Sequence, residues 1–261
     1  MEQDVYVAGQ AEFNLPHDVI SLPSQGMFYK SKKKNIKVGY LTAVDENIIA
    51  DADFKKTVQE SIILPLLRNK VYERDLRPEE LVDGDIEAIL LFLRNTSFGP
   101  EYSISSVDPK TEERFTATIL LDEINIKKTK ETPNENGLFE TVLPVSQKRV
   151  KLKVLNLADK VEIDRIIQSY PSGRVTPTVT TKLIKHIVEL DGNTDRTTIS
   201  TFVEQMPIGD SKYIRRFMLD NEPRLDLVKE VIAPSGEKVM IDITFGGGVF
   251  SAFLININLS Y

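Results

Sequence analysis

Residues 36–49 read IKVGYLTAVDENII, and residues 150–163 read VKLKVLNLADKVEI. The two align without gaps: Lys37 on Lys151, Leu41 on Leu155 and Asp45 on Asp159 are identical, while Ile36/Val150 and Val38/Leu152 are alike. Each copy follows a Leu-Pro pair, Leu22-Pro23 and Leu143-Pro144. A second gap-free alignment sets 79–118 on 204–243 and matches Glu79/Glu204, Gly84/Gly209, Asp85/Asp210, Ile89/Ile214, Phe92/Phe217, Pro109/Pro234 and Glu112/Glu237. A repeat changes how every later motif is read, because each copy must then fold alike. The expected fold is α+β, two related halves produced by internal duplication, each a small antiparallel sheet with packed helices. Residues 1–140 form the first repeat with an N-terminal extension and hairpin. Residues 141–261 form the second with a C-terminal apolar segment.

Outward from the repeat, Gln25-Gly26 signals a turn, and VGYL and VKLKVL carry the apolar alternation of strands. Asp45 and Asp159 then read as helix N-caps, accepting the free amides of a first turn. Helical stretches follow, VQESIILPLLRNKV in the first half and TTKLIKHIVELD in the second, with a kink or break expected at Pro65 because proline lacks the N–H donor. The next helix is the clearest element: Asp85 caps a run with Ile86, Ile89, Leu90 and Leu93 on one face. Asp210 caps a run with Tyr213, Ile214, Phe217 and Met218, leaving Arg215 and Arg216 outside. Strand-turn-strand units close each half, YSISSV-DPKTEE-RFTATILL and LVKEVIA-PSGE-KVMIDITF. Between the halves, TKETPNENGL reads as a hairpin tip flanked by strands, with the boundary near residue 140.

Composition narrows the chemistry. The chain has 261 residues, 33 Lys and Arg against 39 Asp and Glu for a net charge of −6, and no Cys or Trp. Without cysteine there is no disulfide framework, thiolate zinc site or thiol nucleophile. No apolar run approaches the roughly 18 residues of a membrane span, and Met1-Glu2-Gln3-Asp4 lacks the basic start of a secretory signal. The expectation is a soluble, intracellular protein, or part of a particle assembled there.

The two histidines, His17 and His186, sit in no catalytic motif, and HExxH, GxSxG and Walker patterns are missing. The pairs Asp51/Asp53 and Asp83/Asp85 lack the regular run of oxygen ligands of a calcium loop, so no metal is expected. Gly246-Gly247-Gly248 is followed by neither Lys-Ser nor Lys-Thr and reads as a joint rather than a phosphate cradle; no catalytic residue or cofactor is assigned. The apolar stretch 249–257 reads as a contact surface. The hairpin tip Lys30-Ser31-Lys32-Lys33-Lys34, with Lys127-Lys128 and Lys148-Arg149, raises nucleic-acid binding as an alternative. The net negative charge and the lack of interleaved aromatics weigh against it.

Four phrases, LPSQGMFY, LTAVDENII, GDIEAILLFLRNTSFGPEY and FVEQMPIGDSKYIRRFMLDNEPRLD, resemble the baseplate-hub and tail-assembly proteins of contractile-tailed, T-even-like bacteriophages. The resemblance implies a non-enzymatic protein, a hub subunit or chaperone-like assembly factor, located in the virion or in the host during assembly. Its partners would be other hub or tail proteins, in a homo- or hetero-oligomer. Members often carry a CPxCG-like knuckle where this chain has Asp108-Pro109-Lys110-Thr111 and Ala233-Pro234-Ser235-Gly236, so no zinc site carries over. The ending GGGVFSAFL also departs from the family's aromatic one. On this reading the partner-binding residues are Phe28, Tyr29, Lys32, Lys33, Lys34, Gly247, Val249, Phe250, Phe253 and Leu254.

Overall fold

The computed structural model describes residues 16–50 and 56–243, and shows an α+β chain of several small antiparallel sheets and seven helices. A hairpin comes first, β1 (His17–Ser21) against β2 (Asn35–Gly39), with Ile20 opposite Ile36. Helix α1 (Ala43–Ala50) follows, then a π-helical turn over Gln59–Ile63 that runs straight into α2 (Leu64–Lys70). That turn is the physical answer to Pro65, whose missing N–H breaks the regular bonding ladder. A bridge from Val71 to Val38 adds a third, one-residue rung to the hairpin. Helix α3 (Asp83–Phe98) and the hairpin β3 (Glu101–Val107) with β4 (Arg114–Leu120) complete this part. Buried Arg94 closes the corner between them by donating to the Gly99 and Glu101 carbonyls.

Residues 138–242 present a similar order of elements, with a full strand where the first part has only the Val71 bridge and a further helix where it has only a short 3-10 turn at Pro78–Glu80. Strands β5 (Leu138–Val142) and β6 (Arg149–Lys153) form the hairpin, α4 (Leu157–Gln168) and α5 (Thr178–His186) follow, and β7 (Ile187–Leu190) adds to β6. Then come α6 (Arg196–Glu204), α7 (Ile208–Asn221) and the hairpin β8 (Val228–Ile232) with β9 (Lys238–Asp242). In β6–β7, Leu152 faces Ile187, as Val38 faces Val71 in the first sheet.

Three expectations are corrected. The run Ile187-Val188-Glu189-Leu190 is a strand, not the end of a helix: four residues are too few to show a period, and pairing with β6 decides the matter. TKETPNENGL is not a tip between paired strands. Its first part crosses to the other half, where Asn221 Oδ1 accepts the amides of Lys130 and Glu131 at 3.1 and 2.7 Å, and only Asn134–Gly137 turns into β5. Finally, the aspartates at the helix starts sit one turn inside, at the third helical position. Thr42 and Asn156 are the caps; Asp45 accepts from the Thr42 amide at 2.7 Å, and Asp159 and Asn156 exchange bonds as a capping box.

One apolar core runs through both halves, from Leu22, Ile36 and Leu67 to Leu152, Ile214 and Phe217. Phe28 packs on Phe139, and Phe139 meets Phe217 edge-on at 5.7 Å, so an aromatic row crosses the boundary. Around it, the Leu157 amide donates to the Leu81 carbonyl, and Asp83 on α3 binds Lys160 on α4 and Arg224. Gly84 is required there: a Cβ would lie 1.9 Å from the Pro223 carbonyl oxygen.

Inside the first half, Lys70 and Asp45 form a fully buried ion pair. Burial alone would raise the Asp45 pKa, but the Lys70 ammonium and the Thr42 donors outweigh it and hold the carboxyl below the usual range. A depressed folded pKa gives stability that is present above the ordinary aspartate value near about 4 and is lost as pH falls through the folded one. Lys70→Met strands the carboxylate, so stability in urea should drop by about 3 kcal/mol. Because the penalty falls on the ionised carboxylate, the deficit should shrink as pH falls below about 4, where Asp45 takes up a proton.

Candidate functional site

The sequence phrases that carry the resemblance, LPSQGMFY and MPIGDSKY, become parts of two similar structures. In each, a Leu-Pro turn at the end of a strand is held by a buried aspartate near the start of a helix. In the first, the Ser24 amide donates to Asp85 Oδ1 at 2.8 Å and the Ser24 hydroxyl to Oδ2 at 2.5 Å. The Tyr29 hydroxyl donates to the same Oδ2 and accepts the Val82 amide at 3.1 Å. In the second, the Val145 and Ser146 amides donate to Asp210 Oδ1 and Oδ2 at 2.8 and 3.0 Å. Leu22 and Leu143 are wholly buried beneath the turns, and both aspartates are fully enclosed. The next turn residue in each, Gln25 and Gln147, has positive φ and returns its side-chain amide to the carbonyl of Leu22 or Pro144.

Burial pushes the Asp85 carboxyl up from its ordinary value, and the Ser24 and Tyr29 donors oppose that push. Burial, then the neighbouring Asp85, raises the Tyr29 phenol, so this hydroxyl keeps its proton and stays a donor. Tyr29 is therefore a core residue, which corrects its reading as a surface contact. Phe28 is half-buried against Phe139.

The basic tip is not a free cationic array. Lys33 binds Glu73 and Asp75, and Lys32 donates to the carbonyls of Met27 and Glu135 at 3.2 and 2.6 Å. Lys34 is exposed. This leaves the nucleic-acid alternative without support. Gly247, Val249, Phe250, Phe253 and Leu254 lie outside the described residues, as do Asp51 and Asp53.

The two strand-turn-strand units dock tip to tip. Asp108 closes its own turn by accepting the Lys110 amide at 2.9 Å, and it also takes the Ser235 amide at 2.8 Å and hydroxyl at 2.7 Å. A cleft of about 440 Å³ between the halves gathers Asp83, Glu222, Lys160, Lys182, His186, Arg215 and Arg224. Its Asp83 and Glu222 are committed to Lys160 and Arg224. His186 Nδ1–H donates to the Lys153 carbonyl at 2.9 Å, and burial lowers its pKa. Among the described residues no group of three His, Asp or Glu is placed to hold a metal ion, and no helix is long and apolar enough to cross a membrane.

The sequence model of the T4 bacteriophage base plate protein family matches residues 24–246, from the clamped Ser24 to beyond β9. The chain belongs to this family. No curated protein and no solved structure matches it. As a phage baseplate structural protein, it has its function in contacts with other tail components, and the surface beside the clamps becomes the place to look. Val145 lies directly over Gly209, its Cγ2 2.8 Å from where a Cβ would stand, next to Ile208. Val145 is 57% exposed and Ile208, just before Gly209 in the chain, is 72% exposed, and the Val145 amide is fixed by Asp210. Sequence reading missed both; the only signal was an apolar residue after each proline, Pro144 and Pro207.

Asp210→Asn replaces one acceptor oxygen with an amide that faces the Ser146 N–H. We expect a loss of about 2 kcal/mol in urea unfolding, from one broken bond and one buried donor left unpaired.

Proposed function

We propose that the protein is a non-enzymatic assembly component of the baseplate hub that holds other hub or tail proteins through protein–protein contacts. The observation that carries this reading is the clamped turn with Val145 and Ile208 on its surface. Rigid backbone with exposed aliphatic side chains binds without a large ordering cost, since little freedom is left to lose. The residues 249–261 and Lys34 supply further contacts. We read the two halves, with the boundary near 140, as copies of one unit; the similar element order and the paired clamps support this.

The test is co-purification with tail proteins from infected cells. Val145→Asp with Ile208→Asp should abolish it while changing stability by no more than about 0.5 kcal/mol per site, because both side chains are exposed. Deletion of 249–261 should weaken it as well. Unchanged capture by both variants would overturn the reading. Presence of the chain in purified particles marks a hub subunit, and presence only in infected cells marks an assembly factor.

A further inference from the structure

Two helices wall the cleft that holds Asp83 and Glu222. Helix α5 contributes Val179, Lys182 and Leu183, and α7 contributes Arg215, Met218 and Leu219. Leu183 and Met218 are buried and make an apolar floor, whereas Val179 is 44% and Leu219 47% exposed, so these two form the rim. Lys182 and Arg215 are exposed on the same walls. Val179 and Lys182 are three residues apart and Arg215 and Leu219 four, so each pair shares one face of its helix. The α7 face continues one turn back to exposed Lys212.

The charge of this groove is unbalanced. Lys160 and Arg224 on its lining are bound to Asp83 and Glu222. The remaining carboxylate, Asp164, faces Lys160 and Lys182. Arg215 Nε reaches only the Ser211 carbonyl of its own helix, at 3.3 Å, and Lys212 has no ion-pair partner among the described residues. Four cations therefore line the groove against three carboxylates, and Lys212 adds a fifth, in a chain whose net charge is −6. A phosphate chain would use the cations and leave Val179 and Leu219 in water. An acidic amphipathic helix uses both, since its side chains at three- and four-residue spacing can follow a groove between two helices.

We propose that the α5–α7 groove receives an acidic amphipathic helix of another tail protein, its aliphatic side chains on Val179 and Leu219 and its carboxylates on Lys182, Arg215 and Lys212. The proposal rests on the assembly reading and gives the chemistry of one partner.

The test places the photo-cross-linker p-benzoylphenylalanine at position 219 of the full-length chain, irradiates infected cells and sequences the attached peptide by mass spectrometry. The expected product is a segment of another tail protein with surplus carboxylates and aliphatic residues three and four apart. Lys182→Glu with Arg215→Glu should lower the yield at least tenfold, while Arg114→Glu, an exposed cation on β4, should leave it unchanged. All three positions are exposed, so the variants should fold. Attachment to nucleic acid, to a second copy or to a segment without acidic surplus would overturn the proposal, as would no attachment or a yield indifferent to the double reversal. The two readings fail separately: any of these results with tail proteins still co-purifying sinks the groove alone, whereas no tail protein co-purifying with the unaltered chain sinks both.

Discussion

A buried carboxylate that accepts main-chain amides from a turn far away in sequence is the interaction on which this fold depends. Asp85 and Asp210 are each wholly enclosed, and neither could stay there unpaired, because a buried charge or polar oxygen without donors costs several kcal/mol. The donors come from the residues after Pro23 and Pro144, so the requirement to satisfy the carboxylate fixes the hairpin turn against the helix. Proline supplies half of the solution by restricting the preceding leucine to extended backbone, which drives Leu22 and Leu143 into the core. The aspartate supplies the other half.

The same logic joins the halves. Asp83, two residues before Asp85, is exchanged between Lys160 and Arg224, and Gly84 between them leaves room for Pro223. The first turn of α3 therefore serves two junctions at once. One face of it holds the first hairpin and the other holds the second half of the chain. Asp108 repeats the arrangement at the hairpin tips, where a carboxylate binds its own turn and that of the other half.

Much of this was legible in the sequence. The Leu-Pro pairs, the Gly-Asp helix starts and the turn punctuation placed both hairpin types and the helices α3 and α7 within a few residues. What the sequence concealed was partnership over distance. Asp85 read as a cap because local amides are the nearest visible donors, yet its donors lie at Ser24 and Tyr29. Tyr29 read as a partner contact, and only its hydroxyl's place on Asp85 shows why an aromatic stands there. Ile187–Leu190 was ambiguous for another reason, since four apolar-rich residues fit a helix end as well as a strand. Val145 and Ile208 were hidden because exposure is a property of the assembled turn.

The most direct measurement is amide hydrogen exchange at Ser24, Val145 and Ser146 in the native protein. Val145 is decisive, because its side chain is in solvent while its N–H is bound to a buried carboxylate. If the clamps hold the turns to the helices, these three amides exchange only through opening on the scale of the core, as slowly as those of α3 and α7. Exchange of Val145 and Ser146 at the rate of an exposed loop, with α7 still protected, would contradict it.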